Sequence, residues 1–328
     1  MFDKKNYKKQ IEFIELKKDI YACLTLKRGI GWSNAGFINK KKSVLIDTMY
    51  DKELANQLKD FVESKTSNLN FVINTHYNGD NTWGNQVFED NIIIGHESIL
   101  EDYKLENPIY FNKLKETAKN EPNKLSRQEL FLAQNLEPFD FNNTKIVLPN
   151  ITFKKRMTID LEDLKCEIMH VGPAHTRGDS MVWLPDEKIL FAGDIVFNKY
   201  TPIFWVGRSI NNWIEKLDFI VNKLKPEIVV PGHGPICKLK EVLDLRDYLT
   251  YTLSETLTLY NDGIKDPLEI CKRINVRHYL DWVQPERIYI NVYNVIKELE
   301  KVKTPLDFKE IARGVDLMRA YLDEVYDR

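Results

Sequence analysis

The sequence lacks the features that define several classes of protein. Its four cysteines lie far apart and form no CxxC pair: Cys23, Cys166, Cys237 and Cys271. That spacing indicates neither a zinc ribbon nor a redox motif and predicts free thiols in a reducing cytosol. No apolar run reaches the length of about 18 residues that a membrane span needs, and the Lys-rich start lacks the apolar core of a signal peptide. We therefore expect a cytoplasmic protein with no membrane partner.

An excess of charge of one sign is also missing. Lys and Arg number 47 and Asp and Glu 49, which leaves a formal net charge of -2. This balance gives no reason to expect nucleic acid or an anionic membrane surface as a partner. Hydrophobic residues, at 43% of the 328-residue chain, are sufficient for a real core. At roughly 100–200 residues per domain, the length predicts either one large domain or one domain with a smaller appendage.

Motifs of nucleotide sites and serine hydrolases are absent as well. The glycine-containing stretch at residues 29–36 fits the spacing of neither GxGxxG nor a P-loop. Around Ser33 it also lacks the second glycine of a GxSxG nucleophile elbow. We interpret this stretch as a close-packed turn that leads into a strand.

What the sequence does contain is strand-like segments followed by helical periodicity, twice. Short β-rich segments occupy residues 21–26, 43–47, 71–73, 91–94, 167–171, 180–184, 188–192 and 227–230. Apolar residues at helical spacing occupy residues 51–65 and 211–224, and only helical periodicity follows residue 238. This order predicts an α/β sandwich with helices outside two sheets. We expect the sandwich at residues 1–240, a polar helical insertion within it at about 97–137, and a C-terminal helical extension at 241–328.

Residues 71–85 organise the rest of the chain. A buried strand at residues 71–73 ends in a polar loop, where Gly79 permits a tight turn and Thr82 is expected to begin a helix. The loop holds one imidazole, one carboxylate and two carboxamides: His76, Asn78, Asp80 and Asn81. Such a concentration of polar groups at the end of a strand indicates a polar site, and we interpret it as a metal site.

Three further polar residues each follow a predicted strand: His175, Asp194 and His233. Strands that end at one edge of a sandwich would bring all these groups together. We expect His76 and His175 to hold one metal ion. Asp80 and His233 would hold a second ion, with Asp194 between the two. Imidazole and carboxylate ligands suit zinc, iron or manganese, and a metal pair about 3.5–4 Å apart would generate hydroxide at neutral pH.

Four segments in this order resemble the motifs of the metallo-β-lactamase superfamily. They are THYNGDNTWGN at residues 75–85, GPAHTRGD at 172–179, FAGD at 191–194 and PGHGP at 231–235. The resemblance implies an αββα sandwich of two mixed β-sheets with helices outside. It also implies a dinuclear metal hydrolase that acts on an ester, thioester, lactone, lactam or phosphodiester. Of the divalent metals it favours zinc, as one or two ions, with iron or manganese as the alternatives.

The first motif departs from the family pattern HxHxDH. By resemblance, Asn78 would take the place of a histidine at the first metal and Asn81 at the second. A carboxamide oxygen is a harder and weaker ligand than an imidazole nitrogen, so affinity should fall and preference should shift toward metals that favour oxygen. Alternatively, an asparagine stays out of the coordination sphere and hydrogen-bonds a ligand. Asp80 is also a candidate general acid and base.

The remaining histidines have less specific interpretations. His96 and His278 are expected to be structural or exposed, and His170 is expected to lie in the core or to support a ligand. Asp179 is expected to stabilise the loop that carries His175 through hydrogen bonds to the backbone.

Aromatic residues follow the Asp194 motif and could line a substrate pocket. The candidate substrate-binding residues are Tyr200, Trp205 and Arg208. Of these, Arg208 would meet an anionic substrate. Packing beneath the helical tail is the alternative interpretation of the aromatic residues.

These features favour a hydrolase of a small ester, thioester or lactone that uses metal-activated water. Two alternatives stay open. The two asparagines favour a degenerate family member that binds a ligand or partner without turnover. The retained histidines and aspartates also suit an iron- or manganese-dependent enzyme with non-hydrolytic chemistry. The expected partner is a small-molecule substrate, and a homodimer is left open.

Overall fold

The sandwich is built from two sheets. The computed structural model describes residues 9–204, 209–302 and 308–327. The first sheet has seven strands in chain order: β1 (Ile11–Lys17), β2 (Ile20–Thr25), β3 (Ala35–Asn39), β4 (Ser43–Ile46), β5 (Phe71–Ile73), β6 (Ile92–His96) and β7 (Ile151–Phe153). The second has five strands: β8 (Arg156–Asp160), β9 (Lys165–His170), β10 (Ser180–Leu184), β11 (Ile189–Phe197) and β12 (Ile228–His233). The order in the second sheet is β12-β11-β10-β9-β8.

Helices connect and cover these strands. They are α1 (Lys52–Lys65), α2 (Gly79–Thr82), α3 (Ile99–Asp102), α4 (Pro108–Asn120), α5 (Arg127–Leu136), α6 (Ile210–Phe219), α7 (Leu239–Asn261), α8 (Pro267–Arg273), α9 (Ile288–Leu299) and α10 (Phe308–Tyr326). A π-helical turn at Ile220–Leu224 continues α6. Across the described ranges, none of these helices has the length and the apolar character that crossing a bilayer requires.

Both sheets combine parallel and antiparallel pairs. In the first sheet, β1 to β4 pair antiparallel and β4 to β7 pair parallel. In the second sheet, β11 and β12 pair parallel and the other neighbours pair antiparallel. Parallel neighbours need a crossover connection, which α1 supplies between β4 and β5 and α6 supplies between β11 and β12.

The central core lies between the two sheets. It is formed by aliphatic side chains from both, including Ile38, Val44 and Ile73 from the first and Ile168 and Val182 from the second. A second hydrophobic cluster joins α1 to the outer face of the first sheet, and a third joins α6 and α7 to that of the second. The predicted sandwich of two mixed sheets with helices outside is therefore confirmed.

The helix α1 shows how the sequence forms these layers. The Asp51 carboxylate accepts a hydrogen bond from the Leu54 amide at 2.9 Å and so caps the first turn. Leu54, Leu58 and Val62 recur every four residues and are buried against the first sheet. This apolar stripe fixes which side of the helix faces the core.

The polar insertion and the helical extension contact each other. The helices α3, α4 and α5 form most of the predicted insertion. Arg319 of α10 lies over Phe131 of α5, with its guanidinium carbon 3.8 Å from the ring centroid. The helix α7 packs into the same cluster as α6 and β11, whereas α8, α9 and α10 share a further cluster. The domain boundary at residue 240 stays a prediction.

The strand β11 is longer than the sequence indicates. The sequence predicts that it ends at residue 192, but it continues to Phe197, so Asp194 lies within the strand. Gly193 has a φ of 52°, and the pairing with β12 shifts register beside it. Glycine adopts such a conformation without steric cost, which allows the strand to bulge and continue.

Two other boundaries also differ from the prediction. The strand β12 passes through Pro231 and ends at His233, because an edge strand tolerates proline, which has no amide hydrogen to donate. The helix that was expected to begin at Thr82 instead begins at Gly79 and ends at Thr82. This earlier start places the Asp80 side chain on the first turn of α2.

Candidate metal centre

The predicted ligands converge at one edge of the sandwich. His76 follows β5 of the first sheet, whereas Asp194 lies in β11 and His233 ends β12 of the second. His175 lies on the loop between β9 and β10. All four side chains are buried. Segments associated with both sheets therefore contribute to one buried polar cluster.

Asp194 lies at the centre of this cluster. Its Oδ2 is 3.8 Å from His76 Nε2 and 3.4 Å from His175 Nε2. The ligand atoms of these three residues lie within 4.8 Å of one another, a spacing that one cation can bridge. His233 Nε2 is 3.4 Å from Asp194 Oδ2 and 3.4 Å from Asp80 Oδ2. The structure thus brings five predicted ligands together, and their role in binding metal stays a prediction.

Hydrogen bonds fix which ring nitrogen each histidine turns toward the cluster. Thr75 Oγ1 donates to Asp47 Oδ2 at 2.8 Å, so it accepts from His76 Nδ1 at 3.0 Å. His175 and His233 each donate from Nδ1 to a backbone carbonyl, at 2.7 and 3.0 Å respectively. Because Nδ1 carries the hydrogen, Nε2 of each neutral ring presents a lone pair to the cluster.

The cluster is rich in acceptors and poor in donors, which fits a bound cation. His175 Nε2 lies 3.1 Å from Asn78 Oδ1, so two acceptors face each other when the imidazole is neutral. Within the described residues, His76 Nε2 and Asp194 Oδ1 are buried without a hydrogen-bond partner. Such unpaired groups are costly, and a divalent cation would satisfy them. Imidazole and carboxylate donors suit zinc, iron or manganese.

Burial and neighbouring charges shift the pKa values of the titratable groups of the cluster in different directions. Burial lowers the pKa of His76, which favours the neutral imidazole. Burial raises the pKa of Asp194, but the imidazoles of His233 and His76 outweigh it and hold the pKa below its ordinary value. Burial lowers the pKa of His233, but the carboxylates of Asp194 and Asp80 outweigh it and raise the pKa to about 10. Without a metal, a proton therefore lies on His233 between two carboxylates.

Glu106 fixes the orientation of Asn78. Its Oε1 accepts from Asn78 Nδ2 at 2.6 Å, and its Oε2 accepts from the Gly79 amide at 2.6 Å. An ionised carboxylate only accepts, so it binds the NH2 end of the amide and turns Asn78 Oδ1 toward His175. Burial and the charge of Asp80 raise the pKa of Glu106 to about 7. Sequence analysis missed Glu106, because no motif marks it within the polar insertion.

Asp47 orients Asn81 in the same way. Asp47 Oδ2 accepts from Asn81 Nδ2 at 3.1 Å as well as from the Thr75 hydroxyl. Asn81 Oδ1 is buried and has no hydrogen-bond partner in the described part of the chain. Burial raises the pKa of Asp47 to about 7 despite the hydrogen bonds that it accepts. Sequence analysis missed Asp47 also, although it directly follows β4 and so carries the same strand-end signal as the other site residues.

Other polar residues support the cluster from outside. Asp179 accepts from a backbone amide at 2.8 Å within the loop that carries His175. The rings of His96 and His170 stack with their centroids 3.9 Å apart, and His170 Nε2 lies 3.0 Å from a carbonyl of that same loop. His278 is exposed on the helical extension. His170 is half-buried rather than in the core. All four residues lie outside the cluster, and their structural or supporting roles stay predictions.

Tyr200 is buried beside His233, with their ring centroids 5.5 Å apart. Its hydroxyl accepts from the Gly29 amide at 3.0 Å. Tyr200 also belongs to the hydrophobic cluster beneath α7, as the alternative interpretation of the aromatic residues expects. Trp205 and Arg208 lie outside the described residues. Substrate binding by Tyr200 stays a prediction.

Known proteins are similar in sequence to the part of the chain that forms the sandwich. A sequence model of the metallo-beta-lactamase superfamily matches residues 29–233, more than half of the chain. The chain is 26% identical over 208 residues to the beta-lactamase-like protein 2 homolog of Caenorhabditis elegans, and this match covers 62% of the chain and 56% of that protein. It is 34% identical over 91 residues to the acyl-coenzyme A thioesterase MBLAC2 of Homo sapiens, which covers 26% of the chain and 32% of that protein. The chain thus spans only part of the length of these relatives.

Solved structures share the fold. The TM-score is 0.67 with a double mutant of the sec-alkyl sulfatase PisA1, at 17% identity over 96% of this chain and 57% of that one. It is 0.53 with DIM-1 metallo-beta-lactamase, at 20% identity over 74% of this chain and 98% of that one. The sequence match at residues 29–233 includes every predicted ligand of the cluster. The chain therefore belongs to the metallo-beta-lactamase superfamily.

Proposed function

We propose that this protein is a metal-dependent hydrolase of a small ester, thioester or lactone. The observation that carries the proposal is the buried cluster in which three imidazole Nε2 atoms surround one carboxylate oxygen. The residues that would hold metal are His76, Asn78, His175 and Asp194 for one ion and Asp80, Asn81, Asp194 and His233 for a second. A divalent metal bound there supplies a Lewis acid that polarises a carbonyl and lowers the pKa of water. We propose zinc, with iron or manganese as the alternatives, and a cytoplasmic location.

The protein's own groups supply proton transfer and a dry environment. The Asp80 side chain is 16% exposed, against 4% for Asp194, so it is the carboxylate of the cluster that can reach a substrate. Asp80 can accept the proton of the attacking water and return it to the leaving group. The rings of Phe197 and Tyr200 pack on His233 and exclude water from its inner side. Exclusion of water strengthens the electrostatic interactions within the site.

One relative supports the choice of an ester or thioester. The human protein that is 34% identical over 91 residues is named an acyl-coenzyme A thioesterase. Its match covers 26% of this chain and 32% of that protein. The substrate class is therefore part of the proposal.

A sulfate ester is a second candidate substrate. The alkyl sulfatase structure covers 96% of this chain, whereas the metallo-beta-lactamase structure covers 74%. The sulfatase fold thus matches a larger share of this chain, and the helical extension contacts the segment beside the buried polar cluster. This wider match favours a sulfate ester as a substrate to test.

Metal content and turnover test the proposal together. Freshly purified protein should carry about one to two equivalents of zinc, iron or manganese per chain, and it should hydrolyse p-nitrophenyl acetate, an acyl thioester, a γ-lactone or p-nitrophenyl sulfate. Asp194→Ala should lose both properties, because it removes the shared carboxylate. Asp186→Ala, a matched change in the exposed turn between β10 and β11, should keep both.

The outcomes separate the alternatives. Metal that is present without turnover of any of these substrates would favour a ligand-binding protein or a non-hydrolytic metal enzyme. Metal content near zero, unchanged after incubation with each ion in turn, would overturn the proposal.

A further inference from the structure

The helix α9 of the helical extension lies beside the buried polar cluster. Asn291 and Asn294 of this helix donate to the backbone carbonyls of Pro202 and Phe204. The carbonyl between those two accepts from His175 Nδ1 at 2.7 Å. Both asparagines are buried. The helix α9 therefore lies directly against the segment that orients a predicted metal ligand.

Arg287 lies at the end of α9 that is nearest to Tyr200. It immediately precedes the helix and stands four residues before Asn291, which places the two on one side of the helix. Val283 exchanges backbone hydrogen bonds of 2.8 and 3.0 Å with the two residues that flank Tyr200. The short segment from Val283 to Arg287 therefore runs beside Tyr200, whose ring packs on that of His233.

The Arg287 guanidinium has no partner among the residues that the structure describes. Arg287 is half-buried, and its side chain makes no ion pair or hydrogen bond with any residue in the ranges that the structure describes. The adjacent Glu286 carboxylate is already occupied by Arg319, whose two donors lie 3.0 and 2.7 Å from it. The charge of Glu286, and after it those of Asp80 and Asp194, act on Arg287 through space. A cation with no partner in the described part of the chain therefore lies near Tyr200 and the buried polar cluster.

A guanidinium in this situation is suited to an incoming anion. Burial lowers the pKa of Arg287, since desolvation of the cation is not offset by a protein partner. Its planar set of donors matches the oxygens of a carboxylate or a sulfate. A second cation, the exposed Arg28, lies near the Tyr200 hydroxyl, because that hydroxyl accepts from the next residue, Gly29. Two cations, Arg28 and Arg287, therefore act on Tyr200.

We propose that Arg287 binds an oxyanion of the substrate, a carboxylate or a sulfate, and that the natural substrate is an anionic ester. The inference rests on the proposed hydrolase function and adds the charge of the substrate to it. In this arrangement the metal cluster contacts the scissile bond and Arg287 contacts the charged group. Arg287 is then a specificity-determining residue that the helical extension contributes to the site of the sandwich.

A matched pair of esters tests this inference. The p-nitrophenyl esters of butyric acid and of succinic acid differ only in a methyl group against a carboxylate. Arg287→Gln should lower kcat/KM for the succinate ester by about 10–100-fold and should change kcat/KM for the butyrate ester little. The size of the loss is that expected for a hydrogen bond to a charged group. Arg273→Gln, at an exposed position on α8 of the same extension, should leave both esters unchanged. Equal losses for both esters, or no loss for either, would overturn the inference.

Binding without turnover separates this inference from the proposed function. Inorganic sulfate and succinate, titrated into metal-loaded protein by calorimetry, should bind to wild type and to Arg273→Gln and should bind much more weakly to Arg287→Gln. That result without cleavage of any ester would support the anion site and defeat the hydrolase. Equal binding by wild type and Arg287→Gln would overturn the anion site. Tighter binding of sulfate would assign a sulfate ester, and tighter binding of succinate a carboxylate.

A second variant distinguishes the loss of the guanidinium from misfolding of the protein. Arg287→Lys keeps the positive charge and loses the planar fork, so it should retain part of the anion affinity. Metal content and unfolding temperature equal to those of wild type would show that both variants fold. An Arg287→Lys variant as weak as Arg287→Gln, with metal content intact, would count against charge recognition.

Discussion

Replacing Glu106 by glutamine should weaken metal binding, because Glu106 orients Asn78. The carboxylate accepts at 2.6 Å from both Asn78 Nδ2 and the Gly79 amide. Glutamine keeps the shape of this side chain but replaces one acceptor oxygen with an NH2 donor. That donor then faces either the Gly79 amide or the Asn78 amide. Asn78 can relieve the conflict by flipping, which turns its Nδ2 instead of its Oδ1 toward His175.

The expected size follows from the contacts that change. A hydrogen bond to a charged acceptor contributes about 1.5–3 kcal/mol. Loss of a group that orients a metal ligand typically lowers metal affinity about 10–100-fold. The two figures agree, since about 1.4 kcal/mol corresponds to a factor of ten. Because the lost ligand atom is an oxygen, the affinity for manganese should fall more than that for zinc.

Competition with a chromophoric chelator measures both affinities on metal-free protein. The matched control is Glu116→Gln, which makes the same chemical change at an exposed position on α4 and should leave both dissociation constants unchanged. A double-mutant cycle with Asn78→Ala isolates the coupling between the two residues. Once the Asn78 amide is gone, Glu106→Gln should add little further loss.

Two results would refute this reasoning. Wild-type affinities for zinc and manganese in Glu106→Gln would mean that Asn78 Oδ1 is not a ligand. Equal losses with and without the Asn78 side chain would mean that Glu106 acts by supporting the loop through the Gly79 amide rather than by orienting Asn78.

Three further predictions concern a proton, a hydroxyl and an amide. In metal-free protein the pKa of His233 is raised from 6.5 to about 10, so its proton stabilises the fold below pH 6.5 and that contribution is lost toward pH 10. A metal ion must displace this proton, so the affinity for metal should rise by up to about tenfold per pH unit. Calorimetry in buffers of different ionisation enthalpy should detect the proton released on metal binding. If no proton is released, the protonation of His233 in the metal-free protein is contradicted. Thr75→Val should lower the free energy of unfolding by about 1–3 kcal/mol in denaturant, whereas Thr201→Val, whose buried hydroxyl lacks a partner among the described residues, should be nearly neutral; equal effects would argue against the Thr75 hydrogen bonds. Asn291→Leu should weaken zinc binding through the segment beside α9, and the exposed Asn261→Leu should not.

Much of the fold and the meeting of the ligands could be predicted from the order of strands and the residues after them. Strands from the two sheets end at the same edge of the sandwich, so the residues that follow β5 in the first sheet and those that end β12 in the second are brought together there. His76 and His233 show this directly, although they are far apart in the chain. Asp194 reaches the same edge from within β11, since the strand bulges at Gly193 and continues.

The lengths of these strands could not be predicted as well. Glycine and proline usually end regular structure, so the sequence predicts that β11 and β12 stop early. Whether Pro231 breaks a strand depends on whether its missing amide hydrogen would have faced a neighbour. That property belongs to the position of β12 at the edge of the sheet, which local sequence does not report.

Glu106 and Arg287 could not be found from sequence at all. Both lie in helical regions without a motif, where charged residues are usually solvated. Glu106 is 28 positions from Asn78, and Arg287 lies in the helical extension, after the last strand of the sandwich. Their significance arises only when folding places a carboxylate against an amide and leaves a guanidinium with no partner among the described residues. A pattern along the chain also cannot report which end of an amide faces a site.

The placement of the ligands on two sheets has a mechanical consequence. His76 belongs to the first sheet, whereas Asp194 and His233 belong to the second. An ion shared by these residues would act as a reversible cross-link that holds the two sheets together while it is bound. Since the unfolded chain holds no such site, the free energy of metal binding adds to that of folding. The rate of unfolding in denaturant should then rise on chelation, and metal supply would set how long the protein survives as well as how fast it works.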